Sequence, residues 1–125
     1  MTTPHTVHRT GLALLTDLYQ ITMAQGYWKL SRHGELACFH LLFRREPFAG
    51  GYAVAAGLAQ VIEYVQSLRF AEQDVEYLAT LTGNDGKPLL DRAFLDYLRQ
   101  LEITCDIDAM PEGTAVFAHE PLLRV

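Results

Sequence analysis

Cysteine is scarce in this chain, basic residues are outnumbered, and no long apolar run occurs. The two cysteines, Cys38 and Cys105, stand far apart in apolar surroundings without a Cys-x-x-Cys spacing. That argues against a disulfide framework and predicts two buried, reduced thiols in a cytosolic protein. Ten Lys and Arg against fifteen Asp and Glu leave a formal charge of −5. Nonspecific nucleic-acid binding needs a basic footprint, so that class is disfavoured. A local phosphate site is still open, because two or three arginines suffice to form one. No apolar stretch approaches the ~20 residues of a membrane span. The opening MTTPHTVHRT lacks the apolar core of a secretory signal. Neither G-x-x-x-x-G-K-[ST] nor G-x-G-x-x-G occurs, so there is no P-loop and no dinucleotide fingerprint. A soluble, cytoplasmic protein that binds neither nucleic acid nor membrane is the expectation.

What is present is ordinary globular material: 125 residues, half of them hydrophobic and a fifth charged, enough for one domain with a real core. Residues 1–11 are polar and predict a flexible lead-in, with the domain over 12–125. The segment Leu14-Leu15-Thr16-Asp17-Leu18-Tyr19-Gln20-Ile21-Thr22-Met23 predicts a helix start, continuing from Asp17 to Trp28. Thr16 is the candidate N-cap, and Asp17 is well placed for the helix dipole. Leu18, Ile21 and Trp28 form one stripe; Tyr19, Met23 and Tyr27 form another. A helix apolar on two sides must be covered on two sides, which suits a helix lodged between its own domain and a second body such as another subunit.

Ala37 to Arg44 predicts a strand, and Pro47, Gly50 and Gly51 a loop. Tyr52 to Leu68 carries Val54, Leu58, Val61, Ile62 and Val65 at helical spacing and predicts a core helix. Ala71 to Leu81 and Ala93 to Leu101 predict two shorter helices, separated by the turn cluster Thr82 to Pro88. Ile103 to Ala109 alternates with period two, and Thr114 to Ala118 is its expected hairpin partner around Pro111-Glu112-Gly113. Leu122 to Val125 predicts a further strand. The fold expected is α+β, with helices packed on a mostly antiparallel sheet.

Among polar candidates, Asp17 and Tyr19 lie about 200° apart around their helix and do not share a face. Arg44 and Arg45 follow a strand and precede a Pro/Gly-rich loop, a common setting for forked guanidinium donors that recognise phosphate. Adjacent strand residues point to opposite faces, so one of the pair is expected to act; Arg44 shares parity with Leu42 and His40. Gly50 and Gly51 can offer close backbone approach to a phosphate or simply form a turn. The five histidines show no metal spacing, and His40 is expected to be a core residue in its strand.

Taken in order, LLTDLYQITMAQGYW (14–28), FRREPF (43–48), GGYAVAAGL (50–58), PEGT (111–114) and EPLLRV (120–125) resemble the N-terminal part of nicotinate phosphoribosyltransferases. Each motif is weak alone, and the ordered set is specific. The resemblance implies the N-terminal domain of such an enzyme without its C-terminal α/β barrel, hence a fragment or truncated product, inactive by itself. It implies a transfer joining nicotinate to phosphoribosyl pyrophosphate, giving nicotinate mononucleotide and pyrophosphate in NAD biosynthesis or salvage. Magnesium and ATP hydrolysis are implied for the full-length enzyme, with none bound by this chain alone and no catalytic residue within it. A homodimer sharing its site between subunits is implied too. Tyr19 would stack on the pyridine ring, Asp17 would orient substrate or ribose hydroxyls, and Arg44 would reach the phosphates, with Arg45 and Gly51 as secondary candidates. His119 stands where an amide or small residue is expected, which puts a role for it in doubt. Two rival readings remain: a non-catalytic interaction module, and the nicotinamide-using sister enzyme. A lipoyl-type carrier would need a lysine at the late hairpin tip, and none stands between Ile103 and Val125.

Overall fold

A computed structural model of the protein describes residues 12–125, so the expected lead-in lies outside the described residues. The order of elements is α1 (Leu18–Lys29), β1 (His40–Leu41), a 3-10 turn (Pro47–Ala49), β2 (Ala53–Val54), α2 (Leu58–Ser67), α3 (Glu72–Thr80), α4 (Arg92–Arg99), β3 (Asp108–Ala109), β4 (Ala115–Val116) and β5 (Leu123–Arg124). Every strand pair is antiparallel, and the fold is α+β as expected. The chain divides into a helical unit, residues 12–35 and 67–103, and a sheet unit, residues 36–66 and 104–125.

In the helical unit α1, α3 and α4 share one core. Ile21, Val75, Leu78, Leu90, Phe94, Leu95 and Leu98 are all buried in it. On α4 the apolar residues recur at i, i+1 and i+4, one narrow stripe, and Phe94 has no exposed surface. Trp28 packs its ring against Phe94 (centroids 5.8 Å apart) and Tyr97 (6.4 Å). Gln25 is the polar member of the α1 inner stripe. Its side-chain amide donates to the Leu89 carbonyl (3.2 Å), and its oxygen accepts from the Asp91 amide (2.6 Å). Burying an amide side chain is tolerated only when both ends are bonded in this way. At the start of α3, Asp74 accepts from the Ala71 amide at 2.9 Å, half of a capping box.

Two details of α1 differ from expectation. Asp17, not Thr16, occupies the N-cap backbone position. Thr16 instead donates its hydroxyl to the side-chain oxygen of Gln20, one turn on. Leu18 is exposed, so the inner stripe runs Ile21, Gln25, Trp28.

The sheet unit holds a three-stranded sheet, order β1-β5-β3, and a two-stranded one, β2-β4. The expected strand over 37–44 shortens to His40–Leu41, extended by paired backbone bonds between Phe39 and Val125. The expected helix over 52–68 begins only at Leu58. Gly57 at φ +96° interrupts it, and Ala53–Val54 are drawn into pairing with Val116 and Ala115. That helix buries none of its residues; Leu58, Val61 and Val65 are half-buried and Ile62 is exposed. Its free N-terminal amides are met from across the unit, where the Glu112 carboxylate accepts from Gly57 N (2.9 Å) and Ala59 N (3.3 Å).

The predicted hairpin is also corrected. Strand β4 pairs with β2, and β3 pairs with β5, so the Pro111-Glu112-Gly113 turn links two different sheets. Gly113 N bonds the Ala55 carbonyl and Ala55 N bonds the Thr114 carbonyl, which commits the segment after the turn to β2. Period-two alternation reports a half-buried strand but says nothing of which strand it meets. Cys38 and Cys105 are free and exposed rather than buried, and His40 is exposed too.

Candidate functional site

Tyr19 is the second residue of α1 and lies off the inner stripe, 58% exposed. It is followed at four-residue intervals by Met23 and Tyr27, also exposed, and preceded by exposed Leu15, so one outer face of α1 is an apolar row. Just before the helix, Leu14, Leu15, Thr16, Asp17 and Gln20 line a shallow hollow of about 440 Å³. Asp17 lies in extended conformation at the N-cap without a side-chain cap bond, which leaves its carboxylate available beside that hollow. Gln20 is the group sequence reasoning missed here. The signal was the Thr16–Gln20 spacing of four, which places two polar side chains in bonding range on one helix edge.

Arg44, Arg45 and Gly51 belong to the sheet unit, in the segment between β1 and β2. Both arginines are exposed in a bend. The chain has already left the ladder there, so strand parity no longer distinguishes Arg44 from Arg45. The segment is fixed at its flanks: the His119 amide bonds the Phe43 carbonyl (2.9 Å), and the Ala118 amide bonds Glu46 Oε1 (3.3 Å). Between these anchors lie Arg44 and Arg45; beyond Glu46, Phe48, Ala49 and Gly51 all adopt positive φ, and His119 does so at +68°. For Phe48 and Ala49 this left-handed backbone is uncommon and carries strain. Gly51 is demanded by its φ of +76°, not by crowding, since no protein atom would meet a Cβ there. Glu46 and Phe48 are the residues sequence reasoning did not single out; a Pro at 47 gave no hint of the positive φ at 48.

Thus Asp17 and Tyr19 come together at one helix start, and Arg44, Arg45 and Gly51 along one loop. Among the described residues no group of three His, Cys, Asp or Glu side chains is placed to hold a metal ion. Among the described residues, too, no helix is long and apolar enough to cross a membrane.

These features define an α+β domain that presents an aromatic helix start and an arginine-bearing loop at its surface. Residues 14–125 match the family model described as nicotinate phosphoribosyltransferase (NAPRTase) N-terminal domain, and the chain belongs to that family. It is 43% identical over 113 residues to the human nicotinate phosphoribosyltransferase, covering 90% of this chain and 20% of the relative. A Mycobacterium tuberculosis relative of the same name is 42% identical, with 90% and 23% covered. The crystal structure of human nicotinic acid phosphoribosyltransferase superposes with a TM-score of 0.72 at 42% identity, over 87% of this chain and 21% of that one. The chain therefore spans about a fifth of the length of the relatives it matches.

Proposed function

We propose that this chain forms part of an enzyme joining nicotinate to phosphoribosyl pyrophosphate, with nicotinate mononucleotide and pyrophosphate as products, in the cytoplasmic supply of NAD. The observation that carries the reading is the exposed Tyr19 ring in the first turn of α1, at the same helix start as the Asp17-lined hollow, in a chain of this family. A planar, electron-poor pyridine is well held by an aromatic face, for ~0.5–1.5 kcal/mol beyond area burial. Asp17 is placed to orient hydroxyl groups, and Arg44, with Arg45 and Gly51 as neighbours, to engage phosphate through forked donors. As pyrophosphate leaves, the ribose C1 centre gains oxocarbenium character, so positioning of the ring nitrogen and neutralisation of phosphate charge dominate the rate.

In this proposal the enzyme is a homodimer, and the outer row of α1 (Leu15, Tyr19, Met23, Tyr27) faces the partner, which completes the pocket. Coupling to ATP hydrolysis and the need for magnesium belong to the full-length enzyme, and no step is assigned to them through these residues. The 125-residue chain alone is expected to turn over nothing. In the full-length protein, Tyr19→Ala should raise the nicotinate KM by about 3–10-fold, the equivalent of the stacking energy, while Tyr19→Phe stays near wild type. Steady-state kinetics with varied nicotinate checks this, and unchanged nicotinate kinetics in Tyr19→Ala would sink the stacking role.

A further inference from the structure

Away from the proposed substrate groups, one face of the three-stranded sheet gathers four reactive or charged side chains. His40, Arg124 and Asp108 lie directly opposite one another across β1, β5 and β3. Directly opposed residues of antiparallel strands project to the same face. Cys38, two residues before His40, joins that face, with Sγ 3.9 Å from His40 Nε2. Asp108 holds the Arg124 guanidinium through Nε at 3.0 Å and through Nη2. Nη1 is left with donors to spare. The Arg124 guanidinium is held above its ordinary value first by the hydrogen bond to Asp108, then by the Asp108 charge. Phe39 and Leu41 alternate onto the opposite face. Cys38 is exposed on its face.

We infer that Cys38 is a thiol-exchange site that takes up small anionic disulfides of the glutathione type, with His40 and Arg124 as its positioning groups. The Cys38 proton passes to His40 Nε2 or to water, and Sγ attacks one sulfur of the disulfide. The old S–S bond breaks as the new one forms, and the leaving thiolate takes up a proton. Cys38 is oxidised and the departing sulfur reduced, so the disulfide is the sole co-reactant. Arg124 Nη1 supplies a donor for a carboxylate of the incoming molecule. Cys105 is the internal reference: it too is exposed and free, and among the described residues it has no side-chain bond to a histidine or arginine.

The test treats the reduced full-length protein with oxidised glutathione and follows adducts at Cys38 and Cys105 by peptide mass spectrometry. Cys38 should react about fivefold faster than Cys105, and its rate should fall towards that of Cys105 in His40→Gln and in Arg124→Gln. The wild-type comparison requires no substitution, so a misfolded variant does not blunt it. Equal rates at the two cysteines, or no adduct at Cys38, would overturn the inference. So would a Cys38 rate that neither variant changes while circular dichroism reports both folded.

Discussion

Arg44 and Arg45 differ in nothing that the backbone alone decides, since both sit in the bend after β1 and both are exposed. Under the proposed function, what would separate them is which guanidinium meets the phosphate. A charge-assisted bond to phosphate is worth about 1.5–3 kcal/mol, so loss of the acting guanidinium should raise the KM for phosphoribosyl pyrophosphate by about 10–100-fold. In the full-length enzyme Arg44→Gln is expected to show that rise with nicotinate KM near wild type, and Arg45→Gln a smaller one. The reverse ranking would transfer the role to Arg45. Equal wild-type values for both would remove phosphate contact from this loop. Gly51 offers an independent check at the same scale, because any side chain there must adopt a φ that only glycine takes without strain.

At the scale of elements, α3 and α4 are joined by a polar bond as well as by their core. The Glu72 carboxylate accepts from Arg99 Nε (3.0 Å) and Nη2 (2.8 Å), a bidentate pair that also draws in Asp96 on the same helix. Hydrogen bonding from Arg99 holds the Glu72 carboxyl below its ordinary value and raises Arg99 in turn. A depressed carboxyl contributes stability that is present above its unfolded value and lost as pH falls through the folded one. The pair is solvent-exposed, so the effect is small and screened by salt. Thermal melts from neutral pH down through the carboxylate range should show wild type losing more stability than Glu72→Gln, with the gap closing at the acid end. Parallel curves would mean the pair contributes nothing. The elements themselves were legible wherever local pattern decides them. The i, i+1, i+4 stripe of α4 and the outer row of α1 follow from side-chain periodicity, and the turn at 82–88 from its cluster of Gly, Asn, Asp and Pro. Strand partners were not legible: β2 and β4 meet through residues more than fifty positions apart, and nothing local at Ala53–Val54 announces it. The start of α2 was missed for the same reason, because long-range pairing overrode the helical spacing of Val54 and Leu58. Exposed Cys38 and Cys105 went unforeseen because apolar neighbours in sequence do not fix which face of a short strand is covered.

Across the whole molecule the two units are unequally built. The helical unit buries a continuous cluster running from Ile21 to Leu98, whereas Val116 is the one buried residue among the described residues of the sheet unit. Its strands are two residues long, and Phe48, Tyr52, Val54 and Ile62 stand exposed. A few ladder bonds over so little buried apolar surface open locally at low free-energy cost, because burial and not the hydrogen bond supplies most of the net stability. In the isolated 125-residue chain, amide exchange is therefore expected to be slow in α1, α3 and α4 and fast around β2, β4 and the 44–51 loop. The relatives are about five times longer, and in a full-length protein further apolar surface becomes available to cover Phe48, Tyr52, Val54 and Ile62. Exchange in the sheet unit should then slow by a larger factor than exchange in the helical unit, which already has its core. Mass-spectrometric hydrogen exchange on the short and full-length proteins measures both factors. Equal slowing of the two units, or a sheet unit already as protected as α4 in the short chain, would show that the sheets are self-sufficient and that the exposed row on α1 is the main surface this domain offers to the rest of the enzyme.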